Sequence, residues 1–266
     1  MIWDRAKELV LRQWQAIDDE YREREPFDGR AMAVLVTAAV VLVFNRFWGK
    51  PSTLTDIPGV TRALSALPYR SLYPWLWRSG FKIVGYGVLP AQIIKLVLKE
   101  RIRDYGIVVP LKSPEMRRRI RILYASLCAF VVPLAYVASL TKPFLATYPK
   151  YGDAGGSLTQ FFAWELAYAL QFFMLEFFFR GFLLFSLARY IGPLAIYVMV
   201  VPYAMLHFDK PLVEALGSIL TGIVLGTLAL RTRSIYGGTI VHVGVAVSMD
   251  VFALLQKGAL HRLFGH

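Results

Sequence analysis

The sequence predicts an all-α protein built as a polytopic transmembrane helix bundle with about seven to eight spans. Of its 266 residues, 56% are hydrophobic, and the mean hydropathy is +0.49. Soluble domains are nearer 45–50% apolar by a definition that also counts glycine. Several apolar runs approach or exceed the roughly 20 residues that cross a bilayer. Basic residues collect between these runs, which is the positive-inside pattern of membrane proteins.

The formal net charge of +12 at pH 7 raises the question of which anionic partner the chain meets. Because the basic residues accompany the ends of apolar runs, we expect contact with anionic membrane lipids and no nucleic acid. The single cysteine, Cys128, lies inside an apolar run and excludes an intrachain disulfide. Residues 1–30 are dense in charge and lack an early apolar core, so we expect no signal peptide there.

Residues 1–30 are predicted to form an amphipathic helix. Trp3, Trp14, Ile17 and Tyr21 are among its apolar residues that recur every three or four positions, opposite a charged face. Two placements are open: a helix in the headgroup plane or a solvated helix. The division that we predict continues with N-terminal spans and a basic loop at 31–121, a membrane-embedded core at 122–256 and a short tail at 257–266.

Each predicted span is an apolar run long enough, or nearly long enough, to cross the membrane. In chain order these runs cover 31–48, 80–98, 122–140, 158–187, 194–208, 212–230 and 235–255. An eighth, re-entrant element fits within 50–79 or within the long 158–187 run.

The charges of the loops predict the orientation. The 99–121 loop carries eight basic residues against three acidic ones, and the 189–193 and 231–234 loops are also basic. Seven spans from a cytoplasmic N-terminus put these loops on one side. We therefore expect a multi-pass protein of a bacterial plasma (inner) membrane, with its N-terminus in the cytoplasm.

Four ionisable residues interrupt the apolar runs of the second half of the chain. Glu176 and Arg180 are four residues apart on one predicted helix, so they share a face and can pair. His207 and His242 lie on two other predicted helices. Ionisable groups inside a membrane are costly to bury and therefore indicate a functional site.

Depth along the helices tests whether these groups can meet. At 1.5 Å of rise per residue, Glu176 lies roughly 18 Å and His207 roughly 20 Å from the inner ends of their helices. By the same rise, His242 lies only about 11 Å from its own end. We expect a tilt or a break to supply the difference, and Gly237-Gly238 is the candidate place.

Two imidazoles and one carboxylate match the ligand set of hydrolytic zinc sites, which keep a position open for water. We therefore predict a Zn²⁺ site with Glu176, His207 and His242 as ligands, where the metal would activate that water. Two alternatives stay open. Each histidine is also suited to hydrogen-bonding between helices, and Glu176 with Arg180 is also suited to a structural ion pair.

Three motifs now allow a comparison with a known family. The segment 175–181 (LEFFFRG) resembles a Glu-Glu-x-x-x-Arg motif, Tyr203-x-x-x-His207 resembles Phe-x-x-x-His, and His242-x-x-x-Ala246 resembles His-x-x-x-Asn. These are the motifs of the CPBP family of intramembrane proteases, which includes CAAX prenyl proteases and bacteriocin-processing proteins. The resemblance covers roughly 122–255, and the 104–106 segment (DYG) is similar to an element that often precedes that domain.

The resemblance implies an intramembrane metallo-endopeptidase that cleaves membrane-associated, in some cases lipid-modified, proteins. It implies catalytic roles for Glu176, Arg180, His207 and His242. Two positions depart from the family pattern. Leu175 stands where the family has its first glutamate, the usual general base, and Ala246 stands where it has asparagine.

Loss of the first glutamate leaves three functional interpretations open. In the first, the chain is an endopeptidase in which Glu176, or one of the compensating acids Glu165 and Asp250, acts as the base. In the second, the chain is a catalytically silent relative that binds a membrane partner. In the third, Glu165, Glu176, His207, His242 and Asp250 form the relay of a small transporter or proton pathway.

Overall fold

The computed structural model describes residues 2–21, 29–109 and 114–264, and these residues are almost entirely helical. No strand occurs within those ranges. The all-α prediction is therefore confirmed. The helices are α1 (Ile2–Tyr21), α2 (Gly29–Phe47), α3 (Pro51–Thr55), α4 (Val60–Ser65), α5 (Tyr73–Ile83), α6 (Leu89–Leu96), α7 (Pro114–Ser139), α8 (Lys142–Thr147), α9 (Leu158–Glu176), α10 (Ser186–Ile191), α11 (Leu194–Met205), α12 (Leu212–Thr232) and α13 (Tyr236–Gln256).

Two π-helical segments join α-helices without interrupting the helical path. Val84–Val88 connects α5 to α6, and Phe177–Phe185 connects α9 to α10. Short 3₁₀ turns occupy Ile102–Asp104 and Leu260–Phe264. The 158–187 prediction of one long helix is confirmed, but its π-helical half was not predicted. A π-helix lets a helix absorb extra residues, and such segments are frequent at functional sites.

Five helical stretches of the described residues are long and apolar enough to cross a membrane. They are Gly29–Phe47, Arg117–Ser139, Leu158–Ile191, Leu212–Thr232 and Tyr236–Gln256. Each coincides with a predicted span, so the chain is an integral membrane protein. The predicted 194–208 span is the shorter apolar helix α11, and the predicted 80–98 span is divided among α5, a π-helical segment and α6. The count of seven to eight spans and the orientation stay predictions.

The chain folds into two compact units whose segments alternate along the sequence. The first unit comprises Met1–Ala38, Pro90–Pro110 and Phe177–Tyr236. The second comprises Ala39–Leu89, Leu111–Glu176 and Gly237–His266. The four-part division into 1–30, 31–121, 122–256 and 257–266 stays a prediction.

The first unit is built around the π-helical segment Phe177–Phe185, in which all nine residues are buried. Helix α12 packs closely on α11 beside it. A Cβ on Gly222 would lie 2.9 Å from a Val200 methyl, and one on Gly226 would lie 3.1 Å from the Met199 methyl. The Gly-x-x-x-Gly spacing of Gly222 and Gly226 therefore permits a close approach of α12 to α11.

Helix α1 belongs to this first unit and is confirmed as a helix. In its second half, apolar side chains of α1 contact other helices of the unit. Ile17 is fully buried, and the Trp14 ring meets the Tyr197 ring edge-on at 5.3 Å between centroids. The side chain of Trp3 lies outside the described residues. These contacts are compatible with either placement of α1, in the headgroup plane or in water, so both placements stay predictions.

The 104–106 element also lies in the first unit. Gly106 has a φ of +83°, which a residue with a Cβ rarely adopts. Its carbonyl accepts a hydrogen bond from the Ile235 N–H at 3.0 Å. A Cβ on Gly181 would lie 2.7 Å from the Tyr105 carbonyl oxygen. The element thus packs directly against the π-helical segment.

The second unit has a core of aromatic residues around α9. Trp164 stacks on Tyr168 at 4.7 Å and meets Trp75 edge-on at 5.5 Å. Gln171 donates a long hydrogen bond to the Ser79 hydroxyl at 3.4 Å, and both side chains are buried. These contacts hold α5 and α9 together and fix the rotation of α9 about its axis.

Candidate functional site: a buried carboxylate–imidazole pair

Glu176 and His242 meet in the second unit. The Nδ1 atom of His242 lies 2.9 Å from the Oε1 atom of Glu176. Glu176 is fully buried, and the His242 side chain is 16% exposed. Because an ionised carboxylate only accepts hydrogen bonds, the imidazole donates from Nδ1, and Nε2 then carries the lone pair. The arrangement is a carboxylate that orients an imidazole.

Glycine at position 238 admits the carboxylate. A Cβ on Gly238 would lie 2.8 Å from the Glu176 Oε2 atom, which is closer than such atoms approach. The neighbouring Gly237 makes room for the Tyr124 ring in the same way. Helix α13 runs unbroken from Tyr236 to Gln256. Of the predicted tilt or break at Gly237-Gly238, the break is therefore wrong. The two glycines accommodate side chains from other helices.

A row of aromatic side chains runs along α9 to the His242 ring. Trp164, Tyr168, Phe172 and Glu176 follow one another at intervals of four residues, so they form one ridge of the helix. Tyr168 and Phe172 lie 4.6 Å apart between ring centroids, and Phe172 lies 4.4 Å from the His242 ring. Phe172 thus covers one face of the imidazole with an apolar surface.

The two positions that depart from the family pattern are both buried. Leu175 is 6% exposed, and Ala246 is 5% exposed. Ala246 belongs to the cluster that contains Trp164 and Tyr168, so large aromatic rings line the position where the family has an amide. The surroundings of Ala246 are therefore apolar.

The two predicted compensating acids lie along the same helices as the pair. Asp250 accepts hydrogen bonds from the Trp164 indole N–H at 2.8 Å and from the Lys150 backbone N–H at 3.3 Å. Glu165 is 8% exposed, and neither of its carboxyl oxygens has a hydrogen-bond partner within 2–21, 29–109 and 114–264. By helical rise, Asp250 lies about 12 Å from His242 and Glu165 about 17 Å from Glu176. Their compensating role and the relay stay predictions that this spacing does not favour.

Arg180 and His207 meet through a third residue in the first unit. The Arg180 guanidinium lies 4.0 Å above the centre of the Tyr203 ring, and the Tyr203 ring lies 5.1 Å from the His207 ring. The His207 Nδ1 atom lies 3.1 Å from the Tyr203 carbonyl oxygen. His207 follows the end of α11 at Met205, so it stands in a turn and not inside the predicted 194–208 helix. We call this group the Arg180–Tyr203–His207 stack.

Each unit thus brings together part of the predicted set of site residues. Glu176 joins His242 in the second unit, and Arg180 joins His207 in the first. The pairing of Glu176 with Arg180 and the convergence of His207 on the carboxylate–imidazole pair stay predictions.

We tested whether the residues present fit a zinc ion. Within the described ranges, no group of three or more His, Cys, Asp or Glu side chains is arranged to hold a metal. The pair offers two donors, whereas hydrolytic zinc sites use three protein ligands. The pair by itself therefore lacks the third protein ligand of such a site. The Zn²⁺ site stays a prediction.

Three residues that shape the site were not singled out by the sequence. Tyr203 was recognised only as a motif position, Phe172 as part of an apolar run, and Gly238 as a place for a break. The spacing of four between Gly238, His242, Ala246 and Asp250 on α13 matches the spacing on α9. That matched spacing was the signal in the sequence that could have predicted facing ridges on α9 and α13.

Comparison with known proteins supports the resemblance from the motifs. Residues 157–248 match the family model of the type II CAAX prenyl endopeptidase Rce1-like proteins. This match covers about a third of the chain and includes Glu176, Arg180, His207 and His242. No curated protein and no solved structure matched. This match and the three motifs agree, so residues 157–248 are similar to the Rce1-like type II CAAX prenyl endopeptidases.

Proposed function

We propose that this protein is an intramembrane endopeptidase. It hydrolyses peptide bonds of membrane-associated proteins, lipid-modified ones among them. The observation that carries the proposal is the buried hydrogen bond between Glu176 and His242, 2.9 Å long. The similarity to the Rce1-like endopeptidases supplies the class of reaction, and the candidate spans supply the membrane setting.

In the proposed reaction, His242 is the general base. A water molecule at Nε2 gives up a proton to the imidazole as its oxygen attacks the carbonyl carbon of the scissile peptide. Glu176 holds the imidazole in the tautomer that leaves Nε2 basic and stabilises the imidazolium that forms. The imidazolium then returns the proton to the leaving amine. A positioned base of this kind contributes about 10²–10⁴-fold to the rate.

The surroundings of the pair support this role. Glu176 lies where bulk water does not compete for its oxygens, since it is fully buried. A hydrogen bond in such a low-dielectric site is electrostatically stronger than in water. Phe172 restricts the imidazole from one side. The pair therefore keeps one geometry, which general-base catalysis requires.

The test is cleavage of a prenylated CAAX peptide by the purified protein in lipid nanodiscs. We expect Glu176→Gln and His242→Ala to lower kcat by about 100-fold or more, since each removes part of one base. Exposed His261 provides the matched control, and His261→Ala should cleave at the normal rate. Arg180→Ala and His207→Ala, tested in the same assay, decide whether the predicted catalytic roles extend to these residues. Metal analysis of the same preparation checks the zinc prediction separately.

A specific observation favours a second candidate, a catalytically silent relative that binds a membrane partner. Both departures from the family motifs, Leu175 and Ala246, are buried, and Ala246 belongs to a cluster of apolar and aromatic side chains. This candidate predicts that the wild-type chain binds the prenylated peptide without cleaving it. It also predicts that Glu176→Gln and His242→Ala leave that binding intact. Cleavage by the wild-type chain that is lost in either variant would exclude it.

A further inference from the structure

The N-terminal helix α1 contacts two turns of the first unit. One is the 189–193 turn, which includes the end of α10 and leads into α11, and the other is the 231–235 turn, which includes the end of α12 and leads into α13. At the first turn, the Asp18 carboxylate packs against Gly192, in the space that a Cβ would fill. Gly192 has a φ of +54°. Beside the second turn, the Tyr21 hydroxyl donates a hydrogen bond to the carbonyl of Leu230, in the last turn of α12, at 2.8 Å.

Charge reinforces the contact with the 231–235 turn. Both Nε and Nη2 of Arg233 donate to the Glu20 Oε1 atom, at 3.1 Å and 2.7 Å. The same guanidinium lies 5.2 Å above the centre of the Tyr21 ring. One arginine thus holds the last two residues of α1, by an ion pair and by a cation–π contact.

The backbone of Arg233 indicates that its side chain matters. Arg233 ends α12 in the left-handed conformation, with a φ of +53° and a ψ of +33°. Glycine or asparagine is the usual residue at this position because a larger side chain is strained there. An arginine is retained at such a position only where its contacts compensate for the strain. The Arg233 side chain makes such contacts with Glu20 and Tyr21.

The charges at the end of α1 are opposite in sign to those of the 231–235 turn. Asp18, Asp19 and Glu20 form an acidic run at the end of α1, whereas Arg231 and Arg233 are exposed in the turn. Exposed ion pairs of this kind weaken as salt screens them. The contact therefore combines a fixed apolar part, Ile17, with a part that ionic conditions control.

We propose that α1 is an intramolecular clasp that docks on the 189–193 and 231–235 turns and is held closed by Glu20 and Arg233. The clasp holds the end of α12 and the 231–235 turn against α1. Rising ionic strength opens it. The docking surface thus takes a segment of this chain, residues 14–21, as its occupant.

Hydrogen exchange of the α1 amides, followed by mass spectrometry on the full chain in nanodiscs, tests the proposal. Local opening of a helix sets its exchange rate. We expect Glu20→Ala and Arg233→Ala each to speed exchange at 11–21 by about three- to fivefold, the range of an exposed ion pair. The double variant should exchange no faster than the faster single variant. Independent effects that multiply in the double variant, or unchanged exchange, would overturn the proposal.

Two further measurements separate a clasp from general destabilisation. Arg233→Gly relieves the backbone strain but removes the side chain, so it should speed exchange in α1 while exchange in α13 stays slow. If α1 exchange does not change in this variant, the clasp is refuted. Salt raised from about 0.05 to about 0.5 M, which shortens the Debye length severalfold, should speed α1 exchange in the wild type and not in the double variant.

A surface pair elsewhere provides the control. Arg119 and Glu115 form an ion pair on α7 that is 2.6 Å long, with both side chains 73% exposed. Glu115→Ala should leave exchange in α1 unchanged. An equal effect of this substitution on α1 would show that any lost ion pair loosens the helix, and the specific role of Glu20 and Arg233 would be rejected.

Discussion

His242 Nδ1 lies 2.9 Å from Glu176 Oε1, across 66 positions of sequence. This hydrogen bond joins the last residue of α9 to the second turn of α13. It gives a fully buried carboxylate the hydrogen-bonded partner that such a group requires. It also fixes the tautomer of the imidazole, so one contact serves both the fold and the proposed chemistry.

Gly238→Ala is expected to lower cleavage without unfolding the protein. The added Cβ would lie 2.8 Å from Glu176 Oε2, the far end of a flexible side chain. The carboxylate must therefore move, and misplacement by about 1 Å can cost about 100-fold in rate. The measurement is kcat and KM of the purified variant, with the loss expected in kcat.

Gly244→Ala is the matched control for that experiment. It lies on the same helix, and a Cβ there would meet no atom within 4 Å. This variant should keep full activity and gain a little stability, since alanine favours a helix over glycine by about 1 kcal/mol. Equal activity of the two alanine variants would show that Gly238 does not position the carboxylate.

His242→Ala is expected to destabilise the protein as well as to inactivate it. The substitution leaves the buried Glu176 carboxylate without this hydrogen bond, which costs about 1–3 kcal/mol or more for a charged group. The double variant Glu176→Leu with His242→Ala should recover part of that loss because the carboxylate that lost its hydrogen bond is then absent. The measurement is the midpoint of thermal unfolding of each single variant and of the double variant. A double variant less stable than both singles would contradict the account.

Tyr203→Phe and Tyr203→Leu should differ sharply. The Arg180 guanidinium rests on the ring, at 4.0 Å from its centre, and His207 contacts the backbone carbonyl of Tyr203. Neither contact uses the hydroxyl. Phenylalanine keeps the ring and should therefore cost less stability than leucine, which removes a buried cation–π contact worth about 2 kcal/mol. Thermal unfolding measures both, and an equal loss in the two variants would refute the role of the ring.

Glu165→Leu is expected to raise stability. Glu165 is 8% exposed, and its carboxyl oxygens have no hydrogen-bond partner among the residues that the structure describes. Replacing a buried polar group of this kind with an apolar one should gain about 1–3 kcal/mol. The midpoint of unfolding in detergent checks the sign, with Leu166→Ala on the adjacent exposed position as control. A lower midpoint for Glu165→Leu would indicate that the carboxyl has a partner.

Tyr21 predicts how α1 responds to alkaline pH. Burial raises the pKa of Tyr21 from 10.0 to about 12, with Arg233 acting in the opposite direction. The folded state therefore keeps its proton between pH 10 and 12, where the unfolded state loses it. Stability is present below pH 10 and is lost as the pH rises towards 12. The decline in unfolding midpoint over that range should be smaller in Tyr21→Phe, and an identical decline would contradict the assignment.

Local patterns in the sequence predicted the helices and the family. The length of apolar runs fixes which segments can span a bilayer, and five of these runs reappear as spanning helices in the described residues. The spacing of Glu176, Arg180, His207 and His242 identified the motifs because catalytic motifs are short and contiguous. The close approach at Gly222 and Gly226 was also readable, since small residues at this spacing act through their size alone.

The sequence by itself determined the helical class, the membrane setting and the identity of the polar residues, because each depends on the order of nearby residues. Only the tertiary structure decided that His242 is hydrogen-bonded to Glu176, that Tyr203 lies between Arg180 and His207, and that Gly238 admits a carboxylate. These facts depend on the rotation and offset of helices far apart in sequence. Packing between helices sets those quantities, and no single helix encodes them.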